Sequence, residues 1–404
     1  MGILTIATQA TTESDSAAAI RKCFTDVREA LGGDPSLLIV YPTVGHDLEA
    51  IASGLREIAP GIPTHGATTC LGVMNDAGFS GSDGVGLGLF GLRDPDGDYG
   101  VAVRPLGDDP QAAGREALLA AIAAADREGE PPELVWIASE PGSEEAVLKG
   151  FKEILGVRVP IAGGSAADND VTGGWFEIAN GQVHSGVVVV TVMYPSTPLR
   201  FAFHSGYSAT EHSGVVTKAQ GRTLHEIDGR PAAEVYNEWT DGVIEDHLDG
   251  GNVLSTTSLH PLGRVSGEHW GMPYHRLSHP DSVTPEGGLT LFTEVSVGDR
   301  MVQMVGTKEH LLTRAGRVAK AAMNSANLTT DALAGALVVY CAGCMLAVQD
   351  EIPEVAAGIS TELGGRPFLG TFTFGEQGCF ANHESYHGNL MISVVVFERG
   401  GTAV

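Results

Sequence analysis

Residues 16–41 read SAAAIRKCFTDVREALGGDPSLLIVY, and two different periods are visible in that one stretch. Ala18, Ile20, Phe24, Val27 and Leu31 recur at helical spacing, so residues 16–31 are expected to form an amphipathic helix. Residues 36–41 are a short unbroken apolar run, the pattern of a strand buried on both faces. The same alternation continues in both directions. Residues 46–58 read as a helix stopped by Pro60-Gly61. Residues 63–70 read as a strand of small residues, and 85–92 and 100–105 as a meander. Residues 109–126 and 143–155 follow as helices, the second capped by Ser143 with Glu144 and Glu145 in its first turn. Strands are expected at 134–139 and 159–165. Asn180-Gly181 is a two-residue hairpin signal joining strands 175–178 and 184–193.

Tyr194-Pro195-Ser196-Thr197-Pro198 is the best boundary, which gives domains of 1–195 and 196–404. The second half opens with a strand near 200–203 and a hairpin around Gln220-Gly221. Residues 246–280 read as loop. Strands 289–294, 301–305, 335–340, 368–374 and 390–397 and helices 311–326 and 345–363 follow. Helices alternate with strands, yet hairpins are frequent, so a purely parallel sheet is excluded. The expected fold is mixed α/β: two domains, each a mixed or antiparallel sheet covered by helices.

Bulk properties narrow the function. The chain has 404 residues, 43% of them hydrophobic, and a net charge of −26 from 50 acidic and 24 basic residues. Nucleic acid and anionic membranes call for clustered Lys and Arg, so neither is an expected partner. No apolar run is long enough to span a bilayer, and residues 1–6 carry no signal-peptide pattern, so the expected location is the cytoplasm. Five cysteines, an odd and small number, argue against a disulfide framework.

Several short segments are chemically suggestive. Gly163-Gly164-Ser165-Ala166 ends a strand, where small residues let backbone amides approach a ligand; a tight strand exit is the plain alternative. It is neither a dinucleotide fingerprint nor a P-loop. Thr68, Thr69 and Cys70 belong to the same kind of strand end. Glu376 follows an aromatic strand, and a buried carboxyl there needs a partner or a raised pKa. Cys341-Ala342-Gly343-Cys344 lies between a strand and a helix, the context of a redox dithiol; small buried residues at a sheet edge are the alternative. His387, near His383 and Asn389, has the donor type of an axial haem ligand, with His184, His204 and His212 as weaker choices. His247, His260, His269, His275 and His279 cluster in one loop but match no zinc spacing. No nucleophile elbow and no His-Glu-x-x-His motif supports an enzyme, and no catalytic residue is assigned.

Four of these pieces occur in the order that resembles the FIST sensor family. They are His65-Gly66-Ala67-Thr68-Thr69-Cys70, residues 161–166, residues 224–235 (LHEIDGRPAAEV), and 370–376 (GTFTFGE) with His387-Gly388-Asn389. The resemblance implies a sensory ligand-binding protein that acts with a histidine kinase or a cyclic-di-nucleotide enzyme. The closing run 375–391 is similar to a subgroup of haem-binding nitric-oxide sensors, which implies haem as cofactor and His387 as the metal ligand. Many members carry an Arg shortly after the cysteine matching Cys341, and here Cys344 stands near that place. The binding set expected on these grounds is Thr68, Gly164, Ser165, Cys341, Cys344, Glu376, His387 and Asn389. A thiol redox protein using Cys341 and Cys344, and a metal-free sensor of an amino acid or other metabolite, are the competing readings.

Overall fold

The computed structural model describes residues 3–269 and 271–400; for His269 and Met272 it describes the backbone alone. The N-terminal reading therefore falls partly, at Met1 and Gly2, outside the described residues, as does the side chain of His269. Four sheets make up the described chain. The first runs Thr5–Thr11, Leu87–Arg93, Leu37–Pro42, Thr64–Ala67, Glu177–Ala179, Gln182–His184. Helices Ser16–Leu31 and Leu48–Ile58 cover one of its faces. Ile20, Phe24 and Val27 there pack on Leu38, Val40 and Leu89. Each such fully buried side chain contributes about 1.5–3 kcal/mol, which is why the 3.6-residue spacing of the opening stretch fixes that helix.

The second sheet contains Ile161–Ser165, Leu134–Ser139, Val187–Tyr194 and Asp98–Pro105, under helices Pro110–Ala124 and Glu144–Leu155. The third contains Leu199–His204, Ile392–Glu398, Leu333–Cys341 and Phe368–Thr373, under helices Lys308–Asn324 and Ile352–Glu362. Inner faces of all three meet in one core that includes Trp136, Leu337 and Phe397. The fourth sheet, of nine strands, lies wholly in the second half and packs on helix Ala232–Trp239.

The sheets exchange strands across the middle of the chain. After Thr64–Ala67 the backbone leaves the first sheet and re-enters as Val73–Asn75 in the third, paired with Phe368–Thr373. After Phe368–Thr373 it leaves the third sheet and re-enters as Glu376–Cys379 in the second, paired with Ile161–Ser165. Two glycines make the second crossing possible. A Cβ on Gly163 would lie 2.0 Å from the Ile137 carbonyl oxygen, at φ +143°, and one on Gly164 would lie 2.4 Å from Thr373 Cγ2.

Mixed sheets under helices are present as expected, but there are two sheets per half rather than one. Other local expectations needed correction. The 184–193 strand breaks at Ser185-Gly186, because Gln182–His184 stays in the first sheet while Val187–Tyr194 enters the second. Ser143 makes no side-chain cap; the Glu144 carboxylate instead accepts from the Gly142 N–H at 3.0 Å. The 345–363 helix is two helices, Ala342–Ala347 and Ile352–Glu362. Residues 246–280 are no loop: they contain the hairpin Leu262–His269 with Met272–Ser278. Among the described residues no helix is long and apolar enough to cross a membrane.

Candidate functional site

A recess of about 460 Å³ opens where the halves meet. Ligand pockets are commonly of this size, apolar with a few placed polar groups. The first half contributes Pro141, Val171 and Trp175; the second contributes Leu254, Phe292, Leu346 and Phe374. Trp175 and Phe374 stand edge to face, with centroids 5.9 Å apart. Trp175 is presented by a loop that the Asp168 carboxylate organises, accepting N–H bonds from Val171, Thr172, Gly173 and Gly174 at 2.6–2.9 Å. Phe374 sits at the strand crossing, next to Thr373, which also faces the recess.

The polar groups of the lining are Asn252, Ser255, Ser258, His279, Cys341, Thr373 and Asn389. Among the described lining residues there is no Asp, Glu, Lys or Arg. Burial pushes the His279 imidazole down to about 4, against a hydrogen bond to the Leu254 carbonyl, so the ring is neutral. Its Nε2 is buried without a protein hydrogen-bond partner. Asn389 is held by accepting from the His279 backbone N–H at 3.2 Å.

Behind Cys341 lies a charged interior. Arg314 is 1% exposed and donates to the carbonyls of Ser205 and Leu390 at 2.5 and 3.1 Å. Its guanidinium also faces the rings of Tyr207 and Tyr340 at 5.3 and 5.1 Å. Among the described ion pairs none joins it to a carboxylate. Burial pushes the Cys344 thiol up, but the Cys341 hydrogen bond, the Arg314 charge and the Tyr207 hydroxyl outweigh it and hold Cys344 at about 6. The Arg314 Nε and Nη2 are buried without a hydrogen-bond partner, and its charge is one of the influences that lower the Cys344 pKa. Burial, then the hydrogen bond to Cys344, raises Cys341, so Cys341 keeps its proton and donates it. Glu376 is fully buried, bonded to Thr373 Oγ1 at 2.9 Å and the Met391 N–H at 3.0 Å, and burial raises its pKa.

Matches to two family profiles span this arrangement: the FIST N domain at residues 36–230 and the FIST C domain at 232–379. The chain belongs to the FIST family. FIST domains are generally sensory modules of signal transduction that bind small ligands. This FIST protein is 34% identical over 98 residues to an uncharacterized protein of Methanocaldococcus jannaschii, a match covering 24% of this chain and 18% of that protein. It thus spans about a fifth of that relative's length. A cyanuric acid hydrolase from A. caulinodans aligns over 98% of this chain and all of its own, at 10% identity and TM-score 0.39. T. maritima PurLQS aligns over 99% of this chain and 73% of its own, at 11% identity and TM-score 0.21.

The FIST protein distributes the expected site residues over four places. Cys341 and Asn389 line the recess. Gly164 and Glu376, paired across the strand exchange, stand directly behind Thr373, and Cys344 lies beneath Cys341. Thr68 closes a backbone junction through Phe176 and does not reach the recess. Ser165 and His387 belong to a separate buried cluster. Ser165 donates to Glu144 at 2.7 Å, His387 Nδ1 donates to Glu145 at 3.0 Å, and Arg222 bridges both carboxylates at 2.6 and 2.7 Å. Burial pushes both carboxyls up, but His387 and Arg222 overcome it and keep them ionised. Glu144, Glu145 and His387 offer donor atoms within 4.8 Å of one another, but the Arg222 guanidinium already supplies their cation.

Haem does not fit at His387. The imidazole is 0% exposed and its Nε2 faces Glu144 at 3.8 Å. A Cβ on Gly375 would lie 2.5 Å from that nitrogen, so the ring packs on backbone rather than on open space. The recess has no described cation in its lining for propionates. Sequence reading missed Trp175 and Phe374 as site residues, and named His279 only within the histidine cluster of residues 247–279. The signals were there for the first two: a tryptophan after Gly173-Gly174, and a phenylalanine next to the glycine already singled out.

Proposed function

We propose that this FIST protein is a sensor of an uncharged, partly aromatic small molecule that binds in the recess between the halves. The observation that carries this reading is the lining itself: aromatic walls from both halves and neutral polar groups. A charged guest would leave water and find no countercharge. That argues against a free amino acid as well as against haem. A guest in the recess, against Trp175 and Phe374, touches both halves beside the strand exchange, so binding has differential contacts with any two arrangements of them. A partner histidine kinase or cyclic-di-nucleotide enzyme then reads the arrangement.

Thermal-shift screening against neutral metabolites tests this, with Trp175→Ala and the rim-filling Ala347→Trp as controls. A hit whose shift vanishes in both variants supports the reading; hits unaffected by either, or none from a broad neutral panel, overturn it.

A second reading is a thiol redox protein: Cys341 lines the recess, and Cys344 three residues on is held at about 6, below the usual thiol range. Exchange with a small disulfide would oxidise the two thiols to one disulfide and reduce that molecule to two thiols. Mass spectrometry after treatment with excess oxidised glutathione decides it: a loss of two hydrogens mapped to 341 and 344 supports it, unchanged thiols refute it.

A further inference from the structure

A second cleft joins the halves on the far side of residues 387–389, and its charge is out of character with the chain. Its volume is about 300 Å³, between helix Glu144–Leu155 and the nine-stranded sheet. In a protein of net charge −26 it gathers Lys149, Lys152, Arg264 and Arg276. Its acids are already engaged. Glu294 pairs with Lys149 at 3.5 Å, and Asp299 with Arg264 at 2.8 Å. Glu145 is held by Arg222 and His387. Arg276 and Lys152 are left over: neither is in a described ion pair. They face the ring of Tyr386 at 5.0 and 4.9 Å.

Arg276 is brought here deliberately. Its stem passes Gly388, where a Cβ would come within 3.3 Å of Arg276 Cγ. Its Nε is buried with no acceptor; burial and then the neighbouring Arg264 hold the group down at about 10, only partly offset by Glu145, Tyr386 and Asp299. A ring face repays only part of the hydration that a guanidinium loses.

We propose that this cleft is a binding site for an oxyanion, a phosphate or carboxylate group, held by Arg276 as the forked donor and Lys152 as the point charge. Arginine suits such a planar two-point contact, and a lysine adds charge without demanding geometry. Lys152 comes from the first half and Arg276 from the second, so the anion bridges them. The site stands whether or not the recess takes a guest. Where both are occupied they are linked through three consecutive residues, since His387 lines this cleft and Asn389 lines the recess.

The test is isothermal titration of the full chain with inorganic phosphate and, separately, with citrate, at ionic strength held constant with sodium chloride. Saturable binding of either probe, weakened at least tenfold by Arg276→Gln and by Lys152→Gln, supports the site; which probe binds tells phosphate from carboxylate. No binding of either probe, or unchanged binding in both variants, overturns it. Lys152 is only half-buried on a helix surface, so Lys152→Gln decides the matter if Arg276→Gln does not fold.

Discussion

Replacing Arg314 by methionine should abolish the only ionised cysteine of this protein near neutral pH. The other thiols are pushed up by burial: Cys23 and Cys70 to about 12, Cys379 to about 11, and Cys341 well above the ordinary range. Cys344 alone is held at about 6. At pH 7 that corresponds to roughly ten thiolates per thiol, since each pH unit is a factor of ten. Arg314→Met keeps the length of the side chain and removes the charge, leaving burial to dominate, so Cys344 should then be almost wholly protonated at pH 7. The assay is the thiolate ultraviolet absorbance titrated from pH 4 upward, with Cys344→Ser to assign the step. One cysteine's worth of absorbance should appear near pH 6 in the wild type and in neither variant. The same group links to stability. Its folded pKa lies below the ordinary value of 9, so its contribution is full above pH 9 and is lost as pH falls through 6. A step near pH 6 that survives Arg314→Met would refute the pairing of guanidinium and thiolate.

Other expectations follow from single contacts. Gly164→Ala should destabilise by about 1–3 kcal/mol in urea melts, because the new methyl collides with Thr373 at the strand crossing; a neutral result would mean that the crossing is loosely packed. Glu177 is buried with both carboxylate oxygens unpartnered, and burial, then Glu140, pushes it up to about 9. The folded state therefore holds its proton, and stability is lost as pH rises from 4.5 towards 9; Glu177→Gln should flatten that slope and be the more stable protein at pH 8.5, by calorimetry. Burial holds His65 at about 3 and His279 at about 4. The unfolded chain takes up those protons first, so unfolding free energy should fall as pH drops from 6.5 towards 4, less steeply in His279→Gln.

Local patterns carried the sequence reading a long way. The helix at Ser16–Leu31 and the hairpin at Asn180-Gly181 are both where spacing and turn chemistry put them, because each is decided by neighbours in the chain. The strand exchange was not legible. Val73–Asn75 is three residues long and finds its partner at Leu369–Thr371, and no local signal encodes so distant a pairing. The hairpin in 246–280 was hidden because its many polar and histidine residues look like loop until its strands find Arg300–Val305. For the site, Cys341 and Asn389 could be picked out by residue type, and Gly164 and Glu376 are cross-strand neighbours. His387 misled, because a histidine's donor type is readable but its environment is not. Two carboxylates and Arg222 enclose it, from segments more than a hundred residues away.

The most direct test is a crystal structure of the protein with a neutral compound that raises its melting temperature. Density filling the recess against Trp175 and Phe374, within reach of the polar groups of Asn389 and Ser258, is the predicted result. A stabilising compound seated anywhere else would contradict it.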